Sequence, residues 1–176
     1  MRKIITRLLA SALLLSVAFS MSGCSLVAKG VTKELWYKGT LKIYKEGLDS
    51  GWANEKDIDV FIADELKDPN NDIGYLLIDL DEDGTKELLI GFNDGSTYTK
   101  FTDLYVYHRD MGAYQIMHGT AGSYIYLAYD NVIISDSSFG TGADRTYMTW
   151  DSTWDEFTSI DGEGKYLPIK WDLTEF

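Results

Sequence analysis

The sequence is poor in cysteine, proline, histidine and positive charge, and each shortage excludes a class of protein. A single Cys cannot form an intrachain disulfide, and only 2 Pro in 176 residues argue against a disordered or low-complexity chain. Lys and Arg number 16 against 28 Asp and Glu, so the net charge of −12 excludes a plain nucleic-acid binder, which needs a basic surface. With 2 His and no G-x-S-x-G motif, the chain offers little for nucleophilic catalysis, and we assign no catalytic residue.

The N-terminus has the pattern of an export signal. Residues 1–7 carry three cations, and residues 8–21 form an apolar run that is shorter than the about 20 residues of a membrane span. Cys24 follows a Ser-Gly pair directly after this run. The segment resembles a bacterial lipoprotein signal peptide with its lipobox, which implies cleavage before Cys24 and lipidation of its thiol. The alternative is that Cys24 lies by chance beside a conventional cleavage site.

These features predict a signal peptide at 1–23, a short tether at 24–30 and a single domain at 31–176. We expect the mature protein to be anchored in the cell membrane by its lipid and to face the outside of the cell. Two or three acyl chains would hold it firmly, since each buried CH₂ contributes about 0.8 kcal/mol. Cleavage would remove three cations and no acid, which changes the net charge from −12 to −15.

Two amphipathic helices are predicted at the start of the domain. Residues 31–48 place apolar side chains at spacings of three and four. A second helix is predicted to begin at Asn54 as its N-cap and to end before Asp68-Pro69. Its apolar stripe consists of Ile58, Phe61, Ile62 and Leu66.

After Gly74 the apolar period changes to two, which indicates strands. Turn signals separate eight candidate strands at 75–79, 87–92, 103–107, 114–118, 124–129, 132–135, 145–151 and 156–160. No alternation of strands and helices is present, so a parallel sheet is not expected. The predicted fold class is α+β, with two N-terminal helices packed on a twisted antiparallel β-meander.

Several tyrosines share strand faces and form a candidate recognition surface. A turn at Asp130-Asn131 would pair its flanking strands so that Ile125 and Leu127 share the core face with Val132 and Ile134. The opposite face would then hold aromatic rings that either receive the helices or bind a glycan or protein partner. These rings are Tyr124 and Tyr126, together with Tyr105 and Tyr107 on another strand. Ordinary core packing is the alternative.

The two His are predicted to lie on opposite sides of the sheet. A turn at 109–112 would pair His108 with Ala113 and His118 with Asp103, and positions 108 and 103 differ by an odd number. A shared metal is therefore not expected. An Asp103–His118 dyad and an ordinary polar cross-strand pair are both open.

The segment 79–87 is the most informative stretch of the chain. Carboxylates at its first, third and fifth positions would surround a hard cation, and Gly at the sixth position allows a sharp turn. The predicted ligands are Asp79, Asp81, Asp83, the backbone carbonyl of Thr85 and Glu87. Position twelve is Ile90 and not Glu, so the loop is not an EF-hand. The predicted cofactor is calcium in a structural role, and the alternative is a solvated hairpin turn.

Strand-like flanks at 75–78 and 88–90 identify a strand-loop-strand site. It resembles the D-x-D-x-D-G-x-x-[DE] calcium loops of FG-GAP and VCBS-type repeats, here in one copy. More specifically, residues 75–91 resemble a segment of uncharacterised secreted lipoproteins of clostridia and related Gram-positive bacteria. This resemblance implies a site and a compartment, and it implies no activity.

The sequence therefore predicts a calcium-stabilised, membrane-anchored binding module at the cell envelope, with a cell-wall glycan or a protein as its partner. One alternative is an extracytoplasmic hydrolase that uses carboxylates, because 28 acidic residues leave room for a glycosidase pair. Another is a purely structural envelope protein.

Overall fold

A computed structural model describes residues 33–53, 62–119, 123–137 and 144–176. The predicted signal peptide, Cys24 and the tether lie outside the described residues. None of the helices within these ranges has both the length and the apolar character that a membrane crossing requires.

Antiparallel strands dominate the described part of the chain. They are β1 (Asp72–Ile78), β2 (Glu87–Asn93), β3 (Lys100–His108), β4 (Gly112–His118), β5 (Ser123–Leu127), β6 (Ile133–Ser137), β7 (Asp144–Asp151) and β8 (Glu156–Ile160). Each overlaps one of the predicted strands, so the predicted strand positions are confirmed. The period-two pattern marks them correctly because most strands have one face in a core and the other in a different environment.

All pairings in the sheet are antiparallel, and the sheet branches at β3. Its first edge pairs with β2, whereas its second edge pairs with β4 through Asp103–His118 and with β5 through Phe101–Ile125. Thus β4 and β5 lie end to end along β3. The sheet then continues from β5 through β6 and β7 to β8. The predicted meander is interrupted at this point.

The predicted fold class is wrong, because the described residues contain one α-helix and not two helices on a meander. This helix, α1, spans Lys38–Ser50, and the other helical segments are 3₁₀ turns at Lys33–Tyr37, Asp64–Lys67 and Tyr129–Asn131. In the predicted second helix, residues 54–61 lie outside the described residues, and Ala63 is extended. Ile62 and Leu66 are nevertheless buried, so their spacing reflects burial and not an α-helix over 62–67.

Helix α1 ends at Ser50 and is capped by Gly51, whose φ of 60° is left-handed and favours glycine. The chain then returns over the helix, and the Trp52 N–H donates to the Gly47 carbonyl at 2.7 Å. Tyr44 and Trp52 belong to a core that also contains Leu88 and Ile90 of β2. The helix therefore covers one face of the first half of the sheet.

A second core lies on the opposite face of β2 and β3. Leu89 and Leu104 pack there with Ile125, Leu127 and Met148 of the later strands. Strand β2 is consequently buried on both faces over six of its seven residues. This burial explains why the β2 segment is almost continuously apolar.

The predicted pairing of β5 with β6 is wrong by one residue. Leu127 pairs with Ile133 and Tyr126 with Ile134, so Leu127 and Ile134 lie on opposite faces. The cause is a three-residue turn in which Asp130 and Asn131 have φ of 59° and 57°. Since side chains alternate along a strand, a slip of one residue transfers the partner strand to the other face.

Candidate metal centre

The acidic loop connects β1 to β2, and its own backbone organises its carboxylates. The Gly84 N–H donates to Asp79 Oδ2 at 2.9 Å, and the Asp83 N–H donates to Asp81 Oδ1 at 3.2 Å. Gly84 has a φ of 87°, which a side-chain-bearing residue rarely adopts. Leu80 is buried between the two acidic positions and fixes the loop to the second core.

Three of the predicted carboxylates come together in this loop. Asp79, Asp81 and Glu87 each place one carboxylate oxygen within 4.8 Å of the others. Asp79 and Asp81 are half-buried, and Glu87 is only 2% exposed. This group could hold a metal ion, because hard cations are bound by such sets of carboxylate oxygens.

The pKa of Glu87 is raised by its burial beside other carboxylates. Burial, and then the charges of Asp81 and Asp83, raise its pKa to about 7, against the lowering effect of the Leu80 N–H. That N–H donates to Glu87 Oε2 at 2.8 Å. A cation at this position would favour the charged form of Glu87, since an opposite charge lowers a carboxyl pKa.

Asp81 shows the opposite balance. Burial alone would raise its pKa, but hydrogen bonds from Ser152 outweigh burial, and its pKa is lowered. The Ser152 N–H donates to Asp81 Oδ2 at 2.8 Å, and the Ser152 hydroxyl donates to Asp83 Oδ2 at 3.1 Å. Asp81 is therefore kept ionised, which is the form that binds a cation.

A buried oxygen of Asp79 indicates whether the site suits a metal ion. Its Oδ1 atom is buried and accepts no hydrogen bond from any described residue. A buried acceptor without a donor costs about 1–3 kcal/mol, and more when it is charged. A cation between Asp79, Asp81 and Glu87 would satisfy this oxygen, so the residues present fit a metal ion.

The other two predicted ligands, Asp83 and Thr85, are not part of this group of carboxylates. The group of three does not include Asp83, whose oxygens accept from the Thr85 N–H and the Ser152 hydroxyl. Thr85 is thus tied to the loop through its N–H, and the role of its carbonyl as a ligand stays a prediction.

Sequence reasoning missed the two residues that brace the loop from a distance. Ser152 belongs to the β7–β8 turn, and Asn131 Nδ2 donates to the Asp79 carbonyl at 2.9 Å from the β5–β6 turn. Both lie more than fifty positions away along the chain. No local motif marks them, and only the sheet topology brings their turns to the loop.

The predicted tyrosine surface is not an exposed one. Tyr105 is buried in the core beneath α1, and Tyr126 is buried in a third cluster with Val132 and Ile134, at 2% and 8% exposure. Tyr107 is half-buried and stacks on Trp36, and Tyr124 is half-buried and donates to Glu65 Oε1 at 2.8 Å. These rings contribute to packing, which was the alternative interpretation.

The histidine pairing is confirmed for His118 and shifted for His108. His118 lies opposite Asp103, whereas His108 pairs with Gly112 because β4 contains a bulge near Leu104 and Tyr105. The Asp103 carboxylate accepts from Tyr44, Thr102 and Gln115. It is therefore a buried hydrogen-bonded group and not one that faces a cleft.

No family model, curated protein or solved structure matches this chain. Its function is therefore argued from the site.

Proposed function

We propose that the chain is an extracytoplasmic lipoprotein, anchored through Cys24, whose 79–87 loop binds calcium and which acts as a binding module at the cell envelope. The observation that carries this proposal is the convergence of Asp79, Asp81 and Glu87 around a buried, unsatisfied Asp79 oxygen. The lipobox-like N-terminus supports the compartment, and calcium is available outside the cell.

Calcium suits the loop better than magnesium. Calcium accepts six to eight oxygen ligands in flexible geometry, whereas magnesium keeps several waters and demands a strict octahedron. The loop provides three carboxylates at short range, and the predicted Thr85 carbonyl would add a further oxygen. Extracellular modules bind calcium with a Kd of about 10⁻⁴ to 10⁻³ M. An affinity in this range would be sufficient for the proposed site.

A structural role for the ion follows from where its ligands lie. Asp79 follows β1 and Glu87 begins β2, so one ion would join the two ends of a hairpin. The same ion would hold the loop against Ser152 and Asn131, which belong to two further turns. We propose that calcium stabilises this end of the domain.

Thermal unfolding of the full chain tests the metal directly. In 2 mM calcium, compared with chelator, we expect a stabilisation of about 1–2 kcal/mol and a rise in Tm of about 2–6 °C. Asp79→Asn should abolish the rise, because it removes a charge from the buried oxygen pair and retains an acceptor for the Gly84 N–H.

Asp110→Asn is the matched control, since Asp110 is an exposed acid in the β3–β4 turn. It should keep the full calcium response. A wild-type Tm that calcium leaves unchanged would overturn the metal proposal, and so would an equal response of Asp79→Asn and the wild type.

A further inference from the structure

Three turns meet at the end of the sheet that carries the acidic loop, and they border an open groove. The acidic loop is joined to Tyr129–Asn131 by the bond from Asn131 to the Asp79 carbonyl. It is joined to the β7–β8 turn by the bonds from Ser152. The groove between them has a volume of about 480 Å³, which is sufficient for one or two sugar rings of a longer chain.

The groove wall is polar and acidic. Beside the acidic loop it is formed by carboxylates, an amide and hydroxyls, namely those of Asp130, Asn131, Asp151, Thr153 and Thr158. No Lys, Arg or His lines it among the described residues. Such a wall offers hydrogen bonds to hydroxyl groups and repels polyanions.

Trp150 adds an aromatic side chain to this mostly polar wall. Its side chain lines the groove and is 4% exposed. Its indole Nε1–H is buried and meets no acceptor among the residues that the structure describes. The N–H is enclosed by protein atoms, so Trp150 contributes packing to the second core and apolar surface to the groove.

The two turns that border the groove also carry the two most exposed aromatic side chains of the described chain. Trp154 in the β7–β8 turn is 72% exposed, and Tyr129 in the β5–β6 turn is 71% exposed. Neither contributes to a core cluster. Exposed rings beside hydrogen-bonding groups combine the apolar and polar contacts that an amphipathic ligand needs.

We infer that this groove, which we call the turn groove, binds a neutral glycan whose hydroxyls contact the polar wall and whose ring faces stack on Trp154 and Tyr129. A protein partner is a poorer fit, because protein interfaces have an apolar centre and the turn groove has a polar one. An anionic wall polymer is disfavoured by Asp130 and Asp151.

This inference rests on the proposed function, since the metal loop forms one wall of the turn groove. Calcium holds that wall in place, so glycan binding depends on calcium. The exposed aromatics and Trp150 are not metal ligands, which allows the two proposals to be separated.

The test is calorimetric titration of the full chain in detergent with hexamers of N-acetylglucosamine and of glucose, in calcium and in chelator. In calcium, we expect at least one of the two hexamers to bind and to change the tryptophan fluorescence. In chelator, the same hexamer should bind at least tenfold more weakly. Trp154→Ala should weaken binding at least tenfold and leave the calcium-induced rise in Tm unchanged.

Leu167→Ala is the matched control, because Leu167 is a 68% exposed apolar residue that does not line the turn groove. It should bind like the wild type. Calcium binding without any binding of either hexamer at 10 mM overturns the glycan inference and leaves the metal proposal standing. Equal binding by Trp154→Ala and the wild type, or binding of polyglycerol phosphate in place of the neutral hexamers, also overturns it.

Discussion

Asp103 is a fully buried carboxylate whose ionisation destabilises the folded state. Burial raises its pKa to about 6, although hydrogen bonds from Thr102, Tyr44 and Gln115 and the charge of His118 lower it. A raised carboxyl pKa means that the folded state favours the protonated form. Its stabilising contribution is therefore complete below about pH 4 and is lost as the pH rises through about 6.

Asp103→Asn should remove this pH dependence. The Asn oxygen can still accept from Tyr44 and Thr102, while the Gln115 amide can turn to accept from the new N–H. From pH 4 to pH 7 we expect the free energy of unfolding of the variant to gain about 2 kcal/mol relative to the wild type. Urea unfolding at a series of pH values measures this difference.

Glu87, with a pKa raised to about 7, acts in the same direction in both proteins and cancels in the difference. The titrations are made in chelator, so that calcium does not alter Glu87. A difference between the variant and the wild type that stays constant from pH 4 to pH 7 would contradict the assignment to Asp103.

At the scale of elements, helix α1 depends on a close approach that only glycine permits. A Cβ on Gly47 would lie 2.3 Å from the Trp52 ring, which is itself held in the core by the bond from its Nε1 to the Leu66 carbonyl. Gly47→Ala should therefore lower the free energy of unfolding by about 1–3 kcal/mol, as overpacking does. Urea unfolding followed by tryptophan fluorescence measures the loss.

The same helix offers a matched control in Gly39, where an added Cβ meets nothing within 4 Å. Gly39→Ala should leave stability unchanged or raise it by up to about 1 kcal/mol, because Ala has the higher helix propensity. Equal effects of the two substitutions would show that the contact between Gly47 and Trp52 does not limit the packing of α1.

The strands could be predicted from sequence because their apolar period is local, and all eight were located. The second α-helix was predicted wrongly over residues 62–67, because the buried positions Ile62 and Leu66 fit both a helical stripe and the extended chain and 3₁₀ turn observed. The β5–β6 register also failed, since it depends on the left-handed backbone of Asp130 and Asn131 and not on the alternation pattern.

The candidate site likewise contains residues that could be predicted from the sequence and residues that could not. Asp79, Asp81 and Glu87 could be predicted, because their spacing within one loop brings them together. Ser152 and Asn131 could not, because their approach depends on how distant hairpins stack in the sheet. Trp150 and Trp154 were missed for that reason as well.

At the scale of the whole molecule, the net charge bears on the proposed attachment to a membrane. Cleavage before Cys24 would leave a net charge of −15 on the mature chain. The surface of a membrane with anionic lipids would repel such a domain, so electrostatic attraction cannot anchor it. The proposed attachment therefore depends on acyl chains on Cys24, which would contribute about 0.8 kcal/mol for each buried CH₂.

Cys24→Ser should consequently release the protein from the membrane. When the full chain is expressed in a Gram-positive host with radioactive palmitate, we expect the wild type to be labelled and to sediment with membranes. The variant should be unlabelled and soluble outside the cell, because Cys24 is the only thiol of the chain. Ser25→Ala, at the next residue, should be labelled and retained like the wild type. Membrane retention of Cys24→Ser would show that a feature other than acylation anchors this acidic domain.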